Sequence, residues 1–262
     1  MKLRSLICVS VAAVAMVAAA ALETGNTFAR LKVTSDLSNS IIAIPLAGCG
    51  ETDAKIYVTN LVMTTGLSVN DTLMYNDGTS WYAWEIKNGA WSPVAAGDKN
   101  GVTVAAPNAY KMDCGRACWL IRSSTSNPIY LYGQVNATLP TSVDVAGAAS
   151  ADKFAYTLIA KPSESSALDL YTWHPANAAT GDLLLVPTSG NAMGQITYRY
   201  NETTPAWETV TQTTTEVTNP RTKKTSVVTN STWTAISTST TIPAGKGVMY
   251  GRKGTSGATL AW

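Results

Sequence analysis

A single histidine among 262 residues leaves His174 as the one imidazole available to a Ser/His/Asp or Cys/His device. Its context, Thr172-Trp173-His174-Pro175, reads as a strand end turning at proline. The chain also lacks Gly-x-Ser-x-Gly, His-Glu-x-x-His and Gly-x-x-x-x-Gly-Lys-Ser/Thr, the strings that place a nucleophile, a zinc site or a phosphate cradle. Ser150-Ala151-Asp152-Lys153 matches Ser-x-x-Lys but stands without supporting motifs. Acids are few and none stands in a recognisable context, so no catalytic residue is assigned. A hydrolase with an unrecognised carboxylate pair is the remaining enzymatic alternative. Charge is scarce as well: 14% of residues are charged and the net charge is +2. That leaves no basic stripe of the kind phosphate neutralisation requires, which argues against a nucleic-acid partner. Phenylalanine occurs twice, against 8 Trp and 11 Tyr.

What is present begins with an export signal. Lys2 and Arg4 form a basic region, Leu6 to Ala21 is apolar, and Ala18-Ala19-Ala20 offers a small-residue cleavage pattern. Roughly 16 apolar residues, mostly alanine, fall short of the ~20 that span a bilayer. Residues 1–21 therefore read as a signal peptide, followed by an exported chain of about 240 residues with no later membrane span. Its destination is the periplasm, the cell surface or the medium. Thr, Ser, Ala, Val and Gly dominate the remainder, as in half-buried strands.

Turn signals divide the chain into strands. Asn76-Asp77-Gly78 leads into Trp81 to Ile86, and Lys87-Asn88-Gly89 into Ala90 to Val94; both are strong hairpin punctuation. Ile41-Ile42-Ala43-Ile44-Pro45 is apolar throughout and predicts a strand buried on both faces. The segment 136–150 reads as a linker. Beyond it the pattern repeats. Gly115-Arg116-Ala117-Cys118-Trp119-Leu120-Ile121-Arg122 returns as Gly245-Lys246-Gly247-Val248-Met249-Tyr250-Gly251-Arg252. Asn70-Asp71-Thr72-Leu73 returns as Gly181-Asp182-Leu183-Leu184, Ala90-Trp91 as Ala206-Trp207, and Tyr82-Ala83-Trp84 is matched to Tyr198-Arg199-Tyr200. Correspondences in one order predict an internal duplication: a first β repeat over 22–137 and a second over 138–262. Similar runs at Phe28 to Val33, Ile129 to Val135 and Thr259 to Trp262 flank the repeats, so the middle run is open to being shared between them. The second repeat carries an insertion, Val210 to Ser237, whose threonine alternates with Val, Gln and Glu. That pattern predicts a long exposed hairpin, with disorder as the alternative.

Three cysteines follow the signal, and an exported chain oxidises what it can. Four residues of strand separate Cys114 from Cys118 by about 13 Å. Cys49 follows one strand and Cys114 precedes another, which favours the Cys49–Cys114 pair and leaves Cys118 as core. With His174 distant and no fourth ligand at hand, neither metal nor cofactor is expected. Among the aromatics Trp81 is the candidate ligand-facing ring, because alternation sets it opposite Tyr82 and Trp84.

Val69-Asn70-Asp71-Thr72-Leu73, Trp81-Tyr82-Ala83-Trp84-Glu85, the Gly115 to Arg122 stretch, Tyr130-Leu131-Tyr132-Gly133-Gln134 and Ile242-Pro243-Ala244-Gly245-Lys246-Gly247 together resemble a group of secreted, internally duplicated all-β bacterial proteins of uncharacterised function. The resemblance covers most of the exported chain and implies no substrate or catalytic residue. The expectation is an all-β protein of two tandem sandwich-like or barrel-like units. Its role is a non-catalytic structural or adhesion-type one, with surface glycans or other surface proteins as partners. A carbohydrate-binding module using exposed Trp and Tyr is the alternative. The oligomeric state is not legible.

Overall fold

The computed structural model describes residues 28–33, 39–44, 54–62, 64–95, 101–124, 127–134, 140–162, 167–187, 195–218, 221 and 225–262. Residues 1–21, read from sequence as a signal, and Cys49 lie outside the described residues. The chain is nearly all β. Its first half forms β1 (Phe28–Val33), β2 (Asn39–Ala43), β3 (Lys55–Tyr57), the one-turn helix α1 (Val58–Leu61), β4 (Thr72–Asn76), β5 (Trp81–Lys87), β6 (Ala90–Pro93), β7 (Val102–Thr103), β8 (Lys111–Asp113), β9 (Ala117–Ile121) and β10 (Ile129–Gln134). Its second half forms β11 (Ser142–Val145), β12 (Phe154–Ile159), β13 (Leu168–Asp169), β14 (Leu183–Pro187), β15 (Gln195–Asn201), β16 (Ala206–Thr218), β17 (Thr225–Ala235), β18 (Thr241–Ile242), β19 (Val248–Lys253) and β20 (Ala258–Ala261). No helix among the described residues is long and apolar enough to cross a membrane.

Each half has a main sheet and two short ladders. The first main sheet runs β2-β9-β4-β5-β6, with β7 added parallel to β5; the second runs β12-β19-β14-β15-β16-β17. The ladders are β1 with β10 and β3 with β8 in the first half, and β11 with β20 and β13 with β18 in the second. Local sequence explains the elements. In β5, Trp84 and Ile86 point into the first core, while on the other face Ala83 is buried against Val94 and Val102 and Glu85 stays half-buried. Asn88 and Gly89 hold φ of 52° and 75°, the two left-handed residues of a hairpin turn whose twist matches its strands. The first core unites Ile42, Leu73, Tyr75, Trp84, Trp91 and Leu120 of the main sheet with Leu31, Ile56, Met112 and Leu131 of the ladders. The second joins Leu184, Tyr198, Trp207 and Tyr250 to Val143, Leu168, Ile242 and Leu260 in the same manner.

Three expectations need correction. The run Ile129 to Val135 is not shared: β10 pairs with β1, while the second half has its own strand, β11, against β20. That strand comes out of the segment read as linker, where Ser142 to Val145 alternates too briefly to stand out among small residues. The match of Tyr82-Ala83-Trp84 to Tyr198-Arg199-Tyr200 is displaced by two residues. Trp84 pairs with Leu73 and Tyr198 with Leu184, and Leu73 and Leu184 in turn face Leu120 and Tyr250. By register, then, Trp84 stands where Tyr198 does. A slip of two preserves which face each residue occupies, so alternation alone does not reveal it.

The halves meet at the glycine-led stretches. The Ala43 amide donates to the Gly245 carbonyl at 2.9 Å, and the Ala160 amide donates to the Gly115 carbonyl at 3.0 Å. Isolated antiparallel bridges join Ile42 to Lys246 and Arg116 to Ile159. The contacts are therefore reciprocal, as across a two-fold axis. With β2 on β9 and β12 on β19, four segments pair in a ring. The ring surrounds Ile41, Ala43, Ala117, Leu158 and Ala160, against which Trp81, Trp119 and Met249 pack.

Candidate functional site

Every main sheet carries one buried aspartate just ahead of its central strand. Asp71 follows Asn70 at φ 71°, and Asp182 follows Gly181 at φ 93°; the left-handed residue turns the chain so that the carboxylate folds inward. Asp182 Oδ2 accepts from Tyr250 Oη at 2.6 Å, Arg252 Nη1 at 2.6 Å and the Ala179 amide at 2.9 Å, while Oδ1 takes the Lys253 amide at 2.9 Å. Asp71 Oδ1 accepts from the Ser123 amide at 2.7 Å and from Ser123 Oγ at 2.8 Å, and Oδ2 takes the Ser68 amide at 2.9 Å. Arg122 Nε stands 3.8 Å from Asp71 and sends its other nitrogens to the carbonyls of Asn127 and Gly66. Burial pulls the Arg122 guanidinium below its ordinary value, opposed by the Asp71 charge. Burial and then the Asp182 charge push the Tyr250 phenol up, so it stays neutral and donates. Asp182 accepts four hydrogen bonds and Asp71 three, backbone amides among them in both, which makes them fasteners of loop to strand.

A third carboxylate has no counterpart in the second half. Asp77 closes the Asn76-Asp77-Gly78 turn by accepting from the Thr79 and Ser80 amides, both at 2.8 Å. Its other oxygen receives Tyr82 Oη at 3.1 Å and Tyr110 Oη at 3.3 Å. Burial tends to raise its pKa, but the Ser80 and Thr79 amides and the two phenols outweigh it and hold the carboxyl below its usual range. The Tyr82 and Tyr110 rings lie 4.1 Å apart, and Trp84 joins them. Beside them Asp113 takes Tyr75 Oη at 3.1 Å and faces Lys55 at 3.5 Å and Arg116 at 3.9 Å. Burial drives the Tyr75 and Tyr110 phenols up. An ionised carboxylate saturated with donors and neutral phenols make a wedge of rings, not an acid and base poised for proton transfer.

The residues singled out in sequence fall elsewhere. Trp81 is half-buried against the inter-half cluster, which turns much of its ring away from solvent. Trp119 packs on the same cluster. Cys114 is 6% exposed and Cys118 fully buried, with the Cys118 thiol 3.4 Å from Met112 Sδ and its pKa pushed up by burial. No disulfide is seen among the described residues, and the expected Cys49 partner lies outside them. Ser150 Oγ donates to Asp152 on an exposed turn, and His174 is exposed. No group of three or more His, Cys, Asp or Glu placed to hold a metal occurs among the described residues.

The largest exposed element is the Thr-rich hairpin. Only Ala206 to Thr209 of β16 pair back to β15; the rest of that 13-residue strand pairs with β17 alone. Arg199 fixes its base, reaching Glu208 at 2.6 Å and stacking 4.5 Å from the Trp233 ring. Burial raises the Glu208 pKa, but Asn201 and Arg199 outweigh it and hold the carboxyl low. Reading the sequence missed this clamp, although Arg199 and Glu208 sit at facing positions of the β15–β16 hairpin. No protein-family model, curated protein or solved structure matches the chain.

Proposed function

We propose that the protein is an exported, non-catalytic structural or adhesion-type protein, built from one β unit used twice and akin to the duplicated secreted proteins it resembles. The observation that carries this reading is the arm formed by β16 and β17. Beyond Thr209 it extends by nine residues of strand, about 30 Å, and threonine is the commonest of its side chains. Such a surface offers hydroxyls and backbone for contact while burying little of its own, which suits attachment better than chemistry. Occupied carboxylates at Asp71, Asp77 and Asp182 support the same reading. Its partners are surface glycans or other surface proteins.

Labelling of intact cells with a membrane-impermeant amine reagent, combined with fractionation, tests the location. Recovery of labelled protein from envelope or medium is the expected result, and confinement to the cytoplasm overturns it. Replacing 211–232 by a two-residue turn tests the role. Attachment of protein-coated beads to cells should fall while the melting temperature holds; unchanged attachment removes the arm from the function.

A further inference from the structure

A β-sheet edge is a row of unpaired amides and carbonyls, and folded proteins protect such rows with short strands, proline, charge or a covering segment. Three of the four main-sheet edges here carry such protection. The edges of β2 and β12 run into Lys246 and Arg116 of the opposite half. The edge strand β6 spans 4 residues and stops at Pro93. The fourth edge, β17, is different. It spans 11 residues, Thr225-Ser226-Val227-Val228-Thr229-Asn230-Ser231-Thr232-Trp233-Thr234-Ala235, with no charge, proline or glycine, and pairs only with β16 among the described residues.

We infer that β17 is the seam along which two copies of this chain pair, antiparallel about a two-fold axis at Asn230, joining their main sheets into one. Three observations select a second copy as the occupant. First, β17 bears no ionisable side chain, so identical strands meet without like-charge repulsion and a charged partner finds nothing to complement. Second, in an antiparallel pair centred on Asn230 each residue faces one of the same parity: Ser231 faces Thr229, and Thr232 faces Val228. Amides turned away from β16 therefore meet amides turned away from β16 between residues 226 and 234, yielding ~8 hydrogen bonds or more. Third, the molecule already joins its halves by reciprocal antiparallel bridges, so this seam repeats outside what the ring does inside. The strand is also held ready, because Arg199 clamps Trp233 and fixes the base of the arm before any partner arrives. Two-fold pairing closes on itself and leaves the dimer without another β17 edge. The inference does not depend on the location or adhesive role proposed above, which stand or fall separately.

The test uses protein purified from cells expressing the full-length chain. Sedimentation equilibrium over a concentration series should show monomer passing to dimer and no further. Asn230 lies on the axis opposite itself, so Asn230→Cys should link the dimer covalently under mild oxidation, with the linked peptide identified by mass. Ser231→Cys should not, because its copies lie on the other face and two residues out of register. Asn230→Lys sets like charges opposite each other and should weaken the dimer by about tenfold or more. Matching melting curves for the monomeric state guard against a folding defect. A monomer at all concentrations overturns the inference, as do equal linking by both cysteine variants, a dimer indifferent to Asn230→Lys, or open-ended fibres.

Discussion

The two buried aspartates occupy the same place in their sheets and are wired differently. Asp182 is gripped by a phenol and an arginine, each at 2.6 Å. Asp71 has Leu120 where the other half has Tyr250, holds its arginine at 3.8 Å, and recruits the hydroxyl of Ser123 instead. The backbone donors, by contrast, coincide: the amide three residues before each aspartate and the amide after each arginine. Main-chain geometry is thus the common element, and side chains fill the remaining acceptor capacity in whichever way the neighbouring core allows.

Removing the carboxylates breaks this comparison most forcefully. Asp182→Ala strands the buried Tyr250 phenol and removes the 2.6 Å ion pair to Arg252, and should cost about 4–5 kcal/mol. Asp71→Ala should cost less, about 3 kcal/mol, because no phenol depends on it and its arginine stands at 3.8 Å, while each arginine keeps two backbone carbonyls in either variant. Denaturant unfolding of the pair decides it; equal losses would mean that the difference in wiring has no energetic consequence.

The ring supplies the next contrast. A Cβ at Gly247 would stand 2.5 Å from the Ala117 Cβ and 2.8 Å from Ile41 Cγ2, whereas the corresponding position of the first half carries Ala117 itself. Gly247→Ala should therefore cost about 2 kcal/mol, and adding Ala117→Gly should recover about half. A thermal melt of the double variant no better than the single would place the strain elsewhere. Gly115 and Gly245, at φ of 87° and 79°, share one requirement. Valine at either should cost on the order of 1–3 kcal/mol, by similar amounts in calorimetry.

Acid separates the halves more gently. Asp77 in the first and Glu208 in the second both sit below the usual carboxylate range. Each folded carboxyl binds its proton less readily than the unfolded one, so its contribution is present above about pH 4. It is lost as pH falls through the depressed value. Asp77→Asn and Glu208→Gln should each flatten the acid limb of stability against pH, followed by tryptophan fluorescence. An unaltered limb would show that these groups do not govern acid unfolding.

Much of the strand pattern was legible. Alternation, Asn-Gly turns and Thr-rich β propensity placed β4, β5, β6, β9 and the arm, because each is long enough to show its period. The short ladders were not: Lys55 to Tyr57, Leu168 to Asp169 and Thr241 to Ile242 are too brief for periodicity and exist through their partners. The sequence match of Asp71 with Asp182 and of Arg122 with Arg252 brought the members of each fastener to notice singly. That they meet in space rests on strand pairing between residues some 50 to 70 positions apart, which no local pattern encodes. The half-burial of Trp81 was not legible either. Alternation set it on the face away from the first core, and there it packs on a cluster that both halves build.

The ring of four segments has a consequence for how the chain comes apart. Each half lends the other a glycine carbonyl, so opening one main sheet at its edge deprives its neighbour of a backbone partner. Calorimetry should then register one cooperative transition for both halves in place of two successive ones. The dependence also survives cutting: a nick between β10 and β11, outside the ring, leaves two fragments whose only complete complement for those carbonyls is each other.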